Sequence, residues 1–449
     1  MRVFVMDNAG EGTGLDIALR AQDADHEVRM WLPPFLGSGL PRPYGDGMIE
    51  KPREWRPSMD WAELIILTGN TVFMSELAEY FGKGYPIFGS NPKATLLETE
   101  RELGQQVLES AGVETIPYTV VTSPEEAVEL VIKTGKAYAM KPWGGEADKH
   151  MTYVASTADD AIFTLLRWRK EGKFKGRLMM QEKVEGVEVG ISGMFGPGGW
   201  CKALEESFEH KKFLNDDLGE NTGEMGTVIR HVVKSKLFDA VLEPIGDYLH
   251  SVNYVGDCSI NCMVDKKGTA WPLEFTMRLG WPDFCIRQAV VLKDPVQWMG
   301  DLIAGGDTLR VSMDIAVGVV LTHGDFPRGG PSDSRPKDTL DTWVGYPIYG
   351  VSERVEKNIH WQQAKMGRVP MLINDQVEQM PMPCTAGNYP LVVTGTGKTV
   401  KQAADAAYAI AWGLKMPSNT MFRTDIGSRL EAELKMLQKH DFVEGMKYE

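Results

Sequence analysis

Two lysines and two acidic segments are the residues whose types and order could do chemistry in this chain. Lys141 ends a short β-rich run, AYAMK, and Lys149 follows on a glycine-bearing loop, residues 143–149. Ammonium groups on a strand end and on a glycine loop suit polyphosphate, because a point cation follows phosphate oxygens as they move. Further along come QEKVEGVEV, residues 181–189, and LEFTMRLG, residues 273–280. A carboxylate closing a hairpin suits magnesium, which takes oxygen ligands and bridges to the phosphates of a nucleotide. Taken singly, either lysine reads as a solvated face and any one glutamate as a surface acid; only their joint order points to nucleotide chemistry. The turn NAGEGTG, residues 8–14, spaces its glycines as G-x-G-x-G. That is not the dinucleotide fingerprint, and no ribose-binding acid follows at the expected distance, so a dehydrogenase is disfavoured. Backbone amides at the start of the following helix could still draw a phosphate or carboxylate.

The elements that must position these groups follow from periodicity. Arg2–Met6 reads as a strand and Leu15–Ala24 as a helix, the first unit of a doubly wound sheet. Glu27–Leu32, Glu63–Thr68 and Tyr85–Gly89 continue it as strands, and the Pro- and Gly-rich stretch 33–57 is a loop excursion. Pro92 opens a helix running through Ala111; a strand returns at Ile116–Val121. Ser123, Pro124 and Glu126 form a capping box for a helix ending near Gly135. Ala137–Lys141 is a strand, and Thr157 with Asp160 caps a helix whose apolar face carries Leu165, Leu166 and Trp168. A strand pattern runs from Leu178 to Ser192, and residues 254–276 form a hairpin turning at Lys266–Gly268. Leu391–Thr394 is a strand and Val400–Leu414 a helix capped by Thr399.

At 449 residues the chain has room for about three domains. With 43% apolar and 24% charged residues it is a folded globular protein, neither disordered nor fibrous. A net charge of −14 repels phosphate backbones and anionic lipid, which disfavours a nucleic-acid or membrane role. Five cysteines without a C-x-x-C pair read as reduced thiols, and no apolar run approaches a signal-peptide core or a membrane span. The expectation is a cytoplasmic protein, monomer or homodimer, acting on small molecules.

The order of strand lysine, loop lysine, hinge acids and terminal E-x-x-x-R strand resembles the ATP-grasp superfamily, and within it the phosphoribosylamine–glycine ligase family. FEHKKFLNDDLGENTGEMG, residues 208–226, is similar to that family's QDHKR…D-x-GPNTGGMG pattern; VVTGTGKTVKQAADAAYA…MFRTDIGSRL, residues 392–430, is similar to its C-terminal pattern. The resemblance runs from about residue 87 to 430, and over the N-terminal domain it is one of strand and loop layout. It implies an α/β architecture: an N-terminal doubly wound parallel-sheet domain (1–92), an ATP-grasp domain (93–310) with an inserted lid subdomain (about 116–185), and a C-terminal α+β domain (311–449). It implies ATP and magnesium as cofactors. Lys141 and Lys149 would hold ATP phosphates, with Gly144–Lys149 as the lid tip. Gln181, Glu182 and Val184 would receive adenine, and Glu188 the ribose hydroxyls. His210, Lys211, Lys212 and Asn221 would lie over the nucleotide and acyl-phosphate region. Glu274 would bind magnesium, and Arg278 would neutralise the transferring phosphoryl group. His210, Lys211, Lys149 and Arg278 are thus the catalytic candidates.

Departures from the family pattern cluster on the amine side. Thr276 replaces an asparagine metal ligand, Trp281 stands where the family has an aspartate, and Asn261 on the preceding strand is a candidate to help hold magnesium. The first loop lacks the family's arginine and histidine, Thr68–Asn70 replaces G-P-E, and Ala386–Asn388 replaces G-G-R. Losing two arginines weakens the grip on a phosphorylated amine. Trp281 and the aromatic run around Trp55 and Trp61 are candidates to line the altered pocket. The implied activity is an ATP-dependent amide ligation of glycine, or a similar amino acid, with an amine through an acyl phosphate. Two rivals stand beside it: the same chemistry with another amine in a specialised pathway, and a nucleotide-binding protein that no longer catalyses. A biotin-carboxylase-like or carbamoyl-phosphate-type enzyme sharing the fold fits the NTGEMG and RTDIGSR segments less well.

Overall fold

Short aliphatic runs separated by glycine turns build the first layer. Strands β1 (Arg2–Met6), β2 (Glu27–Trp31), β3 (Leu64–Leu67) and β4 (Ile87–Phe88) form a parallel sheet in the order β2-β1-β3-β4. Its strands are buried on both faces, as parallel sheets require. The computed structural model describes residues 1–35, 39–142, 152–174, 176–324, 326 and 343–449.

A second, antiparallel sheet follows: β5 (Tyr118–Val121), β6 (Tyr138–Pro142), β7 (Tyr153–Val154) and β8 (Leu178–Glu182), in the order β5-β8-β6-β7. Helices Pro124–Thr134 and Ala158–Lys170 cover it and give it a core of its own, with Val131, Met140, Leu165, Trp168 and Met180. The Ser123 hydroxyl accepts the Glu126 amide at 3.1 Å as the capping box requires, although the Glu126 carboxylate reaches back to the Thr122 amide. Leu166 is exposed: it lies one step round the helix from Leu165, whereas Trp168, three residues on, shares the buried face.

The third layer is an eight-stranded sheet. It contains β9 (Gly186–Gly196), β10 (Gly199–Glu209), β13 (Gly226–Val232), β14 (Gly256–Asp265), β15 (Ala270–Thr276), β16 (Ile315–Leu321), β17 (Ile359–Trp361) and β20 (Leu391–Gly397), ordered β15-β14-β9-β10-β13-β16-β20-β17. Two separate ribbons, β11 (Lys212–Leu214) with β12 (Leu218–Asn221) and β18 (Ala364–Ile373) with β19 (Gln376–Thr385), project from it. Strand β13 pairs with β16, so the sheet runs unbroken past residue 310 and takes in the C-terminal strands.

Three readings of the sequence change here. The strand pattern from 178 to 192 divides between two sheets, because Glu182 ends β8 and β9 begins at Gly186. The helix expected over 93–111 breaks at Glu100, whose backbone (φ −106°, ψ 83°) separates Leu96–Thr99 from Arg101–Ser110. Trp55, expected to line a pocket, packs instead on Trp31, Phe73 and Tyr80 in the core of the first layer, and Trp61 flanks the same cluster.

Candidate active site

Where the edge of the β5–β8 sheet meets β9, β14 and β15, five sequence-selected residues converge. Lys141 on β6 is buried, and its Nζ donates to the carbonyl of Leu273 at 3.1 Å, beside Glu274. Burial pulls this ammonium down to about 8, opposed by the Glu274 carboxylate and assisted by Arg101 and Lys211. Lys211 lies 2.9 Å from both Glu188 Oε1 and Glu209 Oε2. Against the cost of burial, Glu209, Glu188 and Glu274 hold it well above the usual lysine range. Asn261 on β14 donates from Nδ2 to Glu209 at 2.9 Å and to Glu188 at 3.4 Å. Gly190 faces Asn261 across β9: a side chain there would strike Ser207 Oγ and stand 3.0 Å from Asn261 Oδ1.

Glu274 stands directly opposite Asn261 in the β14–β15 register, and Thr276 lies two residues further along the same strand face. A carboxylate and an amide oxygen on adjacent strands form an oxygen donor set of the kind magnesium accepts, with Thr276 contributing the weakest oxygen. Among the described residues, no group of three or more His, Cys, Asp or Glu is placed to hold a metal by itself. Ligands from the nucleotide and water would have to complete such a site.

The residues expected to receive adenine are divided between buried and exposed groups. Gln181 is buried in β8, and among the described residues its Nε2 has no hydrogen-bond partner. An orphaned buried amide donor is costly alone and is satisfied by a polar ligand edge. Glu182 instead turns outward to Lys136 at 2.7 Å, leaving its backbone for the hinge, and Val184 is half-buried in the link to β9. Lys212 and Asn221 face each other across the β11–β12 ribbon; Lys212 Nζ donates to Gly219 O at 3.3 Å. Lys149 and the Gly144–Lys149 lid tip lie outside the described residues.

His210 is the clear correction. Its Nε2 accepts the Gly427 amide at 3.1 Å, and burial together with Arg429 and Arg423 pushes it down to about 3. The ring is neutral and buried, and it ties the C-terminal RTDIGSR segment to the sheet, a structural role where a catalytic one was expected. His210 and Lys211 lie in the link between β10 and β11, where Lys211 meets Glu188 and Glu209 while His210 meets Gly427.

Several groups in the site carried no sequence-derived role. Arg101, beside Glu274 and bonded to Thr152 at 3.1 Å, brings a further cation from the Arg101–Ser110 helix. Glu209 stands in the FEHKK segment at the family's acidic position, a signal within the motif itself. Glu224 of NTGEMG is buried; burial, reinforced by Glu209, pushes its carboxyl well above the usual range, and Thr227 donates to it. Glu98 is a junction: it accepts from Asn70 at 2.6 Å and from the Met277 amide at 2.8 Å, and Arg278 lies 3.4 Å away.

The segments expected to face the amine are built differently. Asp7, fully buried, accepts the amides of Gly10, Gly12 and Gly14 at 3.2, 2.9 and 3.1 Å and the Thr68 hydroxyl at 2.9 Å. The glycine turn therefore spends its amides on an internal carboxylate. Gly12 has φ +94°, and a Cβ there would sit 2.9 Å from the Gln362 backbone. Trp281 donates from Nε1 to Gln362 at 3.0 Å and packs edge-on against Tyr389 at 4.7 Å, next to Gly223. The helix after Trp281, Asp283–Arg287, is fixed by buried Arg287, which meets Glu205 through two nitrogens at 2.8 Å and Asp257 at 2.9 Å.

Known proteins match this architecture. Residues 99–284 match the family described as phosphoribosylglycinamide synthetase, ATP-grasp (A) domain. The phosphoribosylamine–glycine ligase of Ralstonia nicotianae is 26% identical over 360 residues, covering 77% of this chain and 79% of that protein. The crystal structure of phosphoribosylamine–glycine ligase from Thermotoga maritima superposes with a TM-score of 0.70 at 19% identity, covering 95% of this chain and all of the other. The biotin carboxylase domain of Hydrogenobacter thermophilus 2-oxoglutarate carboxylase, solved with MgADP and bicarbonate, shares the fold at a TM-score of 0.59 and 13% identity, covering 99% of each chain. The fold and the charged cleft define an ATP-grasp ligase, an enzyme class that forms C–N bonds. Within that class, the chain is similar to the phosphoribosylamine–glycine ligases. Among the described residues, no helix is long and apolar enough to cross a membrane.

Proposed function

We propose that this chain joins glycine to phosphoribosylamine at the expense of ATP, through a glycyl phosphate. The observation that carries the reading is the convergence of Lys141, Glu188, Lys211, Asn261 and Glu274 on one cleft between the β5–β8 sheet and the large sheet, in a chain similar to these ligases. A glycine carboxylate oxygen attacks the γ-phosphorus, and the bond to the β-γ bridging oxygen breaks to release ADP. The amine nitrogen then attacks the acyl carbon, phosphate leaves, and the nitrogen gives up a proton as the amide forms. The protein's part in such a transfer is positioning and charge neutralisation rather than covalent chemistry.

Each residue contributes from its place. Lys141, held by the Leu273 carbonyl, presents a fixed ammonium to the phosphates. Gln181 offers its unpartnered amide donor to the adenine edge, and Glu188 accepts from the ribose. Lys211 neutralises Glu188 and Glu209, so the acidic wall does not repel the nucleotide. Glu274 and Asn261 would hold magnesium, with Thr276 beside them. When bound, the ion neutralises charge on the β- and γ-phosphates. Arg278, steered by Glu98, faces the join between nucleotide and amine sides. Trp281 and Tyr389 wall the amine pocket and keep water from the acyl phosphate.

The test is ADP release with magnesium-ATP, glycine and freshly generated phosphoribosylamine, with each substrate omitted in turn. Release that requires both co-substrates is the expected result. Thermal stabilisation by ATP without release in any mixture would contradict ligation.

A further inference from the structure

The acceptor wall lacks the arginine that the family pattern carries in its first loop, and the loop's amides are spent on Asp7. An anionic group on the amine therefore needs a cation from elsewhere. Two nearby arginines are already engaged: Arg20 is clamped to Asp16 and His360, and Arg278 lies against Glu98. Arg42, from the 33–57 excursion, is different. Its guanidinium lies against the loop, so that a Cβ on Gly10 would stand 2.9 Å from Arg42 Nε. Nε donates to Pro33 O at 3.0 Å, and the guanidinium stacks 4.5 Å over the Phe35 ring with the Tyr44 ring at 5.9 Å. Among the described residues no carboxylate pairs with it.

The excursion is fastened in place. Lys51 Nζ donates to Arg42 O at 2.7 Å and to Asp46 at 2.6 Å. Gly45 donates to Ala364 O and Met366 to Asp46 O, both at 2.8 Å, which ties the segment to the C-terminal chain next to Gln362 and Gln363. The Tyr44 hydroxyl is buried beside Arg42. With Nε given to Pro33 O and one hydrogen bond to the Tyr44 hydroxyl, the stacked guanidinium keeps its remaining in-plane N–H groups for the oxygens of a phosphate monoester.

We propose that Arg42, with the Tyr44 hydroxyl beside it, grips the phosphate monoester of the amine substrate at the mouth of the Asn8–Gly14 loop. This rests on phosphoribosylamine being the amine and adds the residue that selects its phosphate. The excursion thus restores, from a different part of the chain, a cation that the loop itself has lost.

The test pairs turnover with binding of a phosphate ester. Wild type, Arg42→Lys and Arg42→Ala are compared for amine KM and for competitive inhibition by ribose 5-phosphate, with ribose as the control. In Arg42→Ala the amine KM and the ribose 5-phosphate inhibition constant rise together by roughly 10- to 100-fold, while the KM values of ATP and glycine stay within about twofold. Arg42→Lys, which keeps the charge but not the fork, falls between, and ribose competes poorly with every form. If Arg42→Ala, folded by circular dichroism, binds ribose 5-phosphate as wild type does, the proposal is overturned. Should wild type turn over no phosphoribosylamine, the choice of amine fails separately. Calorimetric titration with ribose 5-phosphate then decides Arg42 alone: binding that weakens in Arg42→Lys supports the grip, and no binding by wild type overturns it.

Discussion

The two sides of the cleft are built on opposite electrostatic plans. On the nucleotide side, charges pair across strands: Lys141 beside Glu274, and Lys211 between Glu188 and Glu209. On the amine side, the surfaces that meet are a self-satisfied glycine loop, amide side chains at Gln362 and Gln363, and the rings of Trp281 and Tyr389. The first plan suits a ligand that is always the same and highly charged. The second sets shape and leaves charge recognition to a few added groups, so it can change while the nucleotide side stays fixed. Evolution of a new amine would then move through the second side alone.

The largest effect should come from breaking the charged side. Lys141→Ala or Glu274→Ala removes a fixed charge aimed at the triphosphate or its ion and should lower ADP formation by about 10²- to 10³-fold. Far-ultraviolet circular dichroism should stay as in wild type, and activity within a few-fold of wild type in either would break the comparison. Asp7→Ala acts on the other side through the fold. It leaves three glycine amides and the Thr68 hydroxyl without an acceptor, at a cost of about 3 kcal/mol in denaturant unfolding. Asp7→Asn, which retains one acceptor oxygen, should lose less.

A third prediction uses His210, which stays neutral in the fold at about 3, below its ordinary value of 6.5. Between those values the unfolded chain binds a proton that the native chain refuses, so stability is lost as pH falls below 6.5. At pH 5 this amounts to roughly 2 kcal/mol. His210→Gln should therefore show a smaller drop in melting temperature than wild type between pH 7 and 5, with kcat at pH 7 little changed. A collapse of kcat at pH 7 with intact folding would return His210 to the nucleotide. The smallest effect belongs to Asn261→Ala, which should raise the magnesium concentration for half-maximal rate by about threefold to tenfold. An unchanged magnesium titration would remove Asn261 from the ion's surroundings.

Legibility in the sequence followed the same division. Lys141, Glu188 and Glu274 sit on strands and Lys211 in the link between β10 and β11, all within recognisable segments, so local order singled them out. The capping box at Ser123 and the hairpin at residues 256–276 were likewise local and stand where the sequence puts them. A histidine inside a charged segment looks functional, whereas the partner that holds His210, Gly427, is distant in sequence and could not be read locally. The amine side was less legible because tertiary contacts assemble it: Gly12 meets Gln362, Asn70 meets Glu98, and Arg42 reaches Gly10 from a stretch with no periodicity. Trp55 misled for the converse reason, since an aromatic in a loop-like stretch is often core, as it is here.

The central claim is that a carboxylate is activated by phosphorylation before the amine arrives. It is tested most directly by running the reaction to completion with glycine carrying ¹⁸O in both carboxylate oxygens and analysing the phosphate released. The account predicts one labelled oxygen in each phosphate, formed only when ATP, glycine and amine are all present. Unlabelled phosphate from a productive reaction would contradict it.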